Sequence, residues 1–183
     1  MTRPRPRTPS EALADRFRAA RATRLIVDSR QVHSAYALPV AGESMLNVRK
    51  RHITGARPQS LRLAAAVDLV ANGRRSRDLV LRGATLPSRA DIIVDAAEPT
   101  IVYLWNTWTI DHTEHAWLGN AGLLVETDLT GVNPIVRLQC SDGVGAAAFD
   151  DLCLDIEIAP RSVALAERKT GAGRGVSRNS PPG

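Results

Sequence analysis

Short apolar segments that alternate between two faces occupy most of residues 61–158 and constrain the fold more than any other feature of the chain. In a segment such as Thr100–Ile110, side chains two positions apart share a face, as they do in a β-strand. β-branched and aromatic residues are frequent there, which also favours strands. Several such strands predict an all-β fold: an antiparallel β-sandwich, a jelly roll or a small barrel.

Ten extended segments are predicted, separated by the Gly, Pro, Asn and Asp residues typical of turns. They lie at residues 24–29, 36–40, 44–53, 61–71, 78–82, 91–97, 100–110, 123–127, 134–140 and 152–158. Segment 61–71 also has helical features, because Ser60 could cap a helix and alanine is abundant. We favour a strand, because Asn72-Gly73 is typical of a hairpin turn that leads into segment 78–82.

These segments define one β domain at residues 25–160, which a chain of 183 residues can hold together with two tails. Residues 1–24 are predicted to be a basic, largely disordered arm, because the first of them alternate Arg and Pro. Residues 161–183 are predicted to be a disordered tail, since Gly, Ser, Arg and Pro dominate its composition.

A short helix is predicted inside the N-terminal arm. Ser10 could cap it, and it would end near Arg21 with Leu13, Phe17 and Ala20 on one face. Such a helix could dock on the domain or, being basic and amphipathic, meet an anionic partner.

The sequence contains no run of about 18 apolar residues, so no membrane span is predicted. The N-terminus lacks the apolar stretch of a secretory signal. We therefore expect a cytoplasmic protein.

The net charge of +5 and the isoelectric point near 10.0 come from the two ends of the chain. Residues 1–24 carry +5 and residues 160–183 carry +4, whereas the residues between them carry −4. The basic ends raise the hypothesis of non-specific binding to nucleic acid through the tails. Only two of the basic residues are lysines, which, with abundant Ala and Gly, indicates an actinobacterial-like, GC-rich genome and gives a simpler reason for much of the arginine.

Charge is also divided within the domain, with a net +7 over residues 25–89 and a net −11 over residues 90–159. One alternative is a pair of complementary faces, within the domain or between the subunits of a homo-oligomer. We favour the other, in which strands distant in sequence lie side by side and mix the two signs on one surface.

Aromatic side chains are concentrated in and after segment 100–110: Tyr103, Trp105, Trp108 and Trp117. Alternation places Tyr103 and Trp105 on one face of the strand and Trp108 on the other, so one face is expected to be buried and the other partly open. Aromatic residues of this kind could bind a sugar ring or a flat ligand, although aromatics on central strands more often fill the core.

The densest group of metal-capable side chains is Asp111-His112-Thr113-Glu114-His115. His112 and His115 could contribute to a zinc or other transition-metal site. The alternative is that this segment is the polar tip of a hairpin. Residues three apart in an extended loop point to opposite sides, so a third ligand would have to come from elsewhere.

Residues 149–156 (FDDLCLDI) resemble the last strand of jelly-roll carbohydrate-binding modules, which often carry an Asp pair before an alternating apolar strand. The resemblance spans eight residues. It implies that Asp150 and Asp151, with Asp142 across the loop, could help to hold a structural Ca²⁺ through oxygen ligands. The alternative is that these acids cap a turn.

Cys140 and Cys153 are symmetric about the loop between the last two segments. In a simple hairpin the two thiols would face each other, close enough for a disulfide. In a reducing cytosol they would remain buried thiols without a catalytic role, which is the alternative that we favour.

No phosphate-loop, dinucleotide, hydrolase-elbow or zinc-protease motif occurs in the sequence, so no cofactor is required by any motif and no catalytic residue is assigned. We favour a non-enzymatic binding or assembly module that recognises a small molecule, glycan or protein through its aromatic surface. The alternatives are tail-mediated nucleic-acid binding and a small β-barrel enzyme, of cyclase or isomerase type, acting on an apolar metabolite. Such an enzyme would carry Asp111, His112, Glu114 and His115 at the barrel mouth.

Overall fold

The computed structural model describes residues 11–161, and within them the chain forms one helix and twelve strands. In chain order these are α1 (Leu13–Ala20), β1 (Arg24–Val27), β2 (Arg30–His33), β3 (Tyr36–Val40), β4 (Ser44–His52), β5 (Gln59–Ala71), β6 (Arg74–Arg82), β7 (Arg89–Asp95), β8 (Thr100–Ile110), β9 (Thr113–His115), β10 (Asn120–Asp128), β11 (Ile135–Gly143) and β12 (Leu152–Pro160). All strand pairs are antiparallel. The predicted all-β fold with one short helix is confirmed, and the predictions for residues 1–10 and 162–183 lie outside the described residues.

The strands form one open sheet in the order β1-β2-β10-β11-β12-β4-β7-β5-β8-β3, with β6 added to β5 and β9 to β8. β5 bends between Ala64 and Leu69. Before the bend one of its edges pairs with β8, and after the bend the same edge pairs with β7. The sheet thereby folds over, so that β8 lies across β11 and Asn106 Nδ2 donates to the Ser141 carbonyl at 2.8 Å. The result is a two-layered sandwich.

Period-two alternation fills the space between the layers. On β5, Leu61 and Leu63 are completely buried, and β8 places Val102 and Leu104 on the same inner side. Segment 61–71, which had helical features in the sequence, is therefore a strand, as predicted. The remaining inner positions come mainly from the other central strands: Leu46, Val48, Ile92, Val94, Leu123, Val136, Leu138, Leu152, Leu154 and Ile156.

Three hairpins are closed by two-residue turns in which both central residues have positive φ, the geometry of a type I′ turn. The turn residues are Asp28-Ser29, Asn72-Gly73 and Asp111-His112. The Asn72-Gly73 hairpin is confirmed, and Asp111-His112 is the tip of the β8–β9 hairpin. β2 and β9, only four and three residues long, were not predicted as strands.

Helix α1 begins at Leu13 with Ala12 as its N-cap residue, so the prediction that Ser10 caps it is wrong. Its first N–H groups are satisfied from the domain instead. The Asn120 side-chain oxygen accepts from the N–H of Leu13 at 3.1 Å, and the Gly119 carbonyl accepts from the next residue at 2.9 Å. Leu13 and Phe17 are buried, whereas the predicted third apolar position, Ala20, is exposed. α1 thus docks on the domain.

Cys140 and Cys153 do not face each other, so the symmetric alternative does not occur, and the favoured prediction of two buried, unpaired thiols is confirmed. Cys140 lies opposite Leu152, and Cys153 lies opposite Gln139. A shift of one residue turns a side chain to the other face of a sheet, so the two thiols point to opposite faces and are free. In the connecting loop, Phe149 packs in the cluster beneath α1 and the Asp151 N–H donates to the Cys140 carbonyl at 3.1 Å. Burial raises the pKa of both thiols and keeps them protonated.

Ion pairs join the positive and negative parts of the sequence, as expected from strands that interleave. Six ion pairs cross between residues 25–89 and 90–159: Arg49–Glu157, Arg51–Asp155, Arg57–Asp142, Arg62–Glu114, Arg75–Asp95 and Arg89–Asp91. The two signs are therefore mixed on the folded surface. Among residues 11–161, no helix has the length and apolar character needed to cross a membrane.

Candidate binding groove

Strand β8 separates its aromatic side chains between core and surface. Tyr103 is 50% exposed and Trp105 is partly exposed on the outer face, whereas Trp108 is 1% exposed on the inner face. The predicted division into one buried and one partly open face is confirmed. Of the four aromatic residues predicted to bind a ligand, Trp108 lies in the core.

Trp117 joins the outer face of β8 from the connection between β9 and β10. Its ring stacks on Trp105 with centroids 5.4 Å apart and planes at 29°. Its indole Nε1 donates to the Ser34 carbonyl, between β2 and β3, at 3.0 Å. Trp117 is nevertheless 51% exposed, so Tyr103, Trp105 and Trp117 form one accessible aromatic surface.

Beside this surface runs a groove, here called the seam groove, where the two ends of the open sheet approach each other. β2 lies near one end and β3 forms the other, and only Ser34 and Ala35 connect them. The groove consists of two adjoining hollows of about 420 and 650 Å³, and both are lined by residues 21–23 and Ala35. The first hollow also contains Phe17, Arg18 and Trp117, and the second Arg24, His33, Tyr36 and Tyr103.

The lining of the seam groove is cationic. Arg18, Arg21 and Arg24 contribute to it, and all of its lining residues lie within 11–161 and include no Asp or Glu. Arg18 forms an ion pair with Asp15. Arg21 and Arg24 form no ion pair in the described part of the chain, so their positive charge is available to a ligand.

His33 lies in the wall of the second hollow. Its ring meets Tyr36 edge-on, with centroids 5.3 Å apart, and its Nε2 is 2.9 Å from Gln31 Nε2. Burial lowers the pKa of His33, and the positive charge of Arg24 lowers it further. The imidazole is therefore neutral near pH 7, and a bound anion would raise its pKa.

A second polar cluster, here called the interlayer network, lies at one end of the core between the two layers. It consists of Arg57, Gln59, Asp142 and Asp151, and Asn106 donates to the carbonyl of Ser141, next to Asp142. Asp142, only 1% exposed, accepts from Arg57 at 2.7 Å and from Gln59 at 3.3 Å. Burial raises the pKa of Asp151, and the Asp142 charge adds to this, although the Asp142 backbone N–H donates to Asp151 at 2.8 Å and opposes it.

The interlayer network explains what the acids near residue 150 do. Asp142 Oδ1 accepts from the Val144 N–H at 2.9 Å, while its other oxygen faces Arg57 and Gln59. Asp151 accepts the Asp142 N–H, and Asp150 is exposed. Asp142 and Asp151 thus stabilise the loop between β11 and β12, as expected of acids that cap a turn.

The histidines predicted as metal ligands separate at the β8–β9 hairpin. His112 is exposed in the turn, whereas His115 stacks on Trp108 with centroids 6.2 Å apart. Across residues 11–161, no group of three or more His, Cys, Asp or Glu side chains forms that could hold a metal ion. Zinc or calcium at the predicted residues remains a prediction.

His112 and Glu114 line a surface hollow of about 330 Å³, while the space between the layers is filled by aliphatic side chains.

Sequence reasoning missed the residues that make the seam groove cationic. Arg18 and Arg21 were assigned to the short helix of a largely disordered arm and Arg24 to the boundary with the first extended segment, while His33 belongs to a strand too short to be recognised. The available signal was the three-residue spacing of these arginines from the end of an amphipathic helix onward.

No protein-family model matches this chain, and no curated protein matches it. What the chain binds must therefore be inferred from the shape, charge and side chains of its own surface.

Proposed function

We propose that this protein is a non-catalytic binding module whose seam groove holds a planar ring that carries negative charge. One observation carries the proposal: the groove combines arginines and exposed aromatic rings in a lining without a carboxylate. The sequence predicted recognition through an aromatic surface, and these arginines add that the ligand is an anion.

Each half of the ligand matches a feature of the groove. Trp117 and Tyr103, each about half exposed, offer ring faces on which a flat ligand can stack. Arg21 and Arg24 offer planar guanidinium groups, which pair with carboxylate or phosphate through two parallel hydrogen bonds. A neutral sugar would use the rings but not the arginines, so the charge of the groove favours an anion over a glycan.

The test is a titration of tryptophan fluorescence with ligands that separate ring from charge. Adenosine monophosphate and naphthoate carry both, adenosine carries only the ring, inorganic phosphate carries only the charge, and maltotriose represents a neutral sugar. We expect both ring-bearing anions to bind at least about tenfold more tightly than the other three, because one bidentate contact to arginine contributes roughly that much.

Substitution of the arginines locates the binding. Arg21→Gln/Arg24→Gln should abolish the preference for ring-bearing anions. Arg74→Gln/Arg82→Gln, which removes two exposed arginines of β6 outside the groove, should leave it unchanged. Equal affinities across the five ligands, or anion binding that survives Arg21→Gln/Arg24→Gln, would contradict the proposal.

A further inference from the structure

We infer that the occupant of the seam groove is a single-stranded polynucleotide, with one base in each hollow and a phosphate at Arg21. This inference rests on the proposed function and names the ligand class of the same groove. It comes from the arrangement of the two hollows, the position of Arg21 between them and the distribution of charge around them.

The groove is long and open. Its two hollows, of about 420 and 650 Å³, adjoin at residues 21–23 and Ala35 and both face solvent. Small-molecule sites typically enclose most of the ligand surface in one cavity. A groove open along its length instead suits a polymer that continues beyond both hollows.

Each hollow has its own aromatic side chains. Trp117 lines the first hollow, and Tyr36 and Tyr103 line the second. Bases of a single strand can stack on aromatic side chains with little sequence preference. In a duplex the bases are already stacked and paired, so they cannot reach these rings, and the groove should prefer single strands.

Arg21 is the one charged residue that lines both hollows. A phosphodiester that links two bases, one in each hollow, would lie beside it. Arg18 and Arg24 flank it at intervals of three residues, each in one hollow only. Arg24 forms no ion pair in the described part of the chain and could contact the next phosphate, whereas Arg18 pairs with Asp15. The cationic row therefore follows the course of a backbone rather than surrounding a single anionic group.

The sequence before α1 carries charge of the same sign as the groove. Seven of the first 24 residues are arginines, including Arg3, Arg5 and Arg7 before α1. Their positive charge adds attraction for any polyanion, but it supplies no ring on which a base can stack. Binding by the groove therefore depends on aromatic side chains, whereas binding by the N-terminal arm does not.

The experiment uses the full chain and labelled decamers of thymidine and of uridine, with a DNA duplex of the same length, in fluorescence anisotropy over a range of salt concentrations. We expect single strands to bind at least about tenfold more tightly than the duplex. Arg21→Gln/Arg24→Gln should reduce the slope of log affinity against log salt by about 1.4, since each phosphate contact to a single strand contributes about 0.7. Arg74→Gln/Arg82→Gln is the control of equal charge and should weaken binding less.

The aromatic contacts are tested at Tyr103. Tyr103→Ala should weaken single-strand binding about tenfold or more, whereas Tyr103→Phe, which keeps the ring, should bind like the unaltered protein. The ratio of the affinities for the thymidine and uridine decamers then shows whether the groove prefers DNA or RNA.

Three outcomes overturn the inference. If Arg3→Gln/Arg5→Gln/Arg7→Gln abolishes binding while Tyr103→Ala does not weaken it, the tail and not the groove binds. If adenosine monophosphate and naphthoate bind the groove but the decamers bind no more tightly, the proposed function stands and the polynucleotide does not. If neither the small anions nor the decamers bind, both fail.

Discussion

The interlayer network and the seam groove both contain arginine, yet the fold treats the charges of these arginines in opposite ways. Arg57 meets a buried carboxylate, Asp142, at 2.7 Å. Arg21 and Arg24 are exposed beside Tyr103 and Trp117, and no carboxylate lines their groove within residues 11–161. An arginine that pairs with a carboxylate of its own fold stabilises that fold, whereas an arginine without such a carboxylate remains available to a ligand.

The largest expected effect separates stability from binding at the interlayer network. Asp142→Ala removes the acceptor of Arg57, Gln59 and the Val144 N–H, so the free energy of unfolding should fall by about 3 kcal/mol, at roughly 1 kcal/mol for each lost hydrogen bond. Urea denaturation measures it. Arg137→Gln, which breaks the partly exposed ion pair with Asp128 at 3.0 Å, is the control and should cost less than about 1 kcal/mol. Similar losses in the two variants would show that the network is not a structural element.

A neighbouring pair of substitutions compares the two faces of β8. Leu104→Ala opens a cavity in the core and should lower the free energy of unfolding by about 3 kcal/mol, while the folded protein still binds ring-bearing anions. Tyr103→Ala should cost less than about 1 kcal/mol of stability and weaken ligand binding about tenfold. Urea denaturation and fluorescence titration on the same samples measure both. The assignment of binding to the outer face of β8 is contradicted if folded Leu104→Ala loses ligand binding while Tyr103→Ala keeps it.

A smaller effect is expected from pH, and it belongs to the groove alone. The pKa of His33 is lowered in the free protein, and a bound anion raises it, so the bound state takes up a proton as the pH falls. Affinity for naphthoate should therefore increase from about pH 7.5 to 5.5, by up to about tenfold for each pKa unit of difference between free and bound protein. His33→Gln should remove this increase. A pH dependence that is unchanged in His33→Gln would place the ligand elsewhere.

The smallest effect concerns the β8–β9 turn, which lies outside both regions. His112 has φ 64°, a conformation that costs L residues free energy and glycine very little. His112→Gly should raise the free energy of unfolding by up to about 1 kcal/mol and leave ligand affinity unchanged. Thermal and urea denaturation measure the gain. If added zinc stabilises the unaltered protein but not His112→Gly, the result would instead support the predicted metal site.

Much of the β framework follows from sequence because strand periodicity is local. Thr100–Ile110 and Tyr36–Val40 were predicted with the boundaries that the structure has, and Asn72-Gly73 closes the expected hairpin. These predictions needed only alternation and turn chemistry within a few residues. The register of β11 against β12, in which Cys140 lies opposite Leu152, was not predicted, since alternation within one strand does not specify which residue of the next strand lies opposite.

The candidate site was predictable only in part. Tyr103, Trp105 and Trp117 were identified because they are adjacent in sequence and rare in the chain. The cationic wall was not, because the fold brings Arg21 and Arg24 to residues about eighty positions away. The interlayer network is hidden for the same reason, since Arg57 and Asp142 are 85 residues apart.

The most direct test of the central claim is a nitrogen–proton NMR spectrum of the full chain during titration with adenosine monophosphate. We expect the indole signal of Trp117 and the backbone signals of residues 21–24 and 33–36 to shift progressively, while the indole of Trp108 and the backbone of Asp142 do not. Shifts centred on Trp108 and Asp142, or no shift at residues 21–24, would contradict that claim.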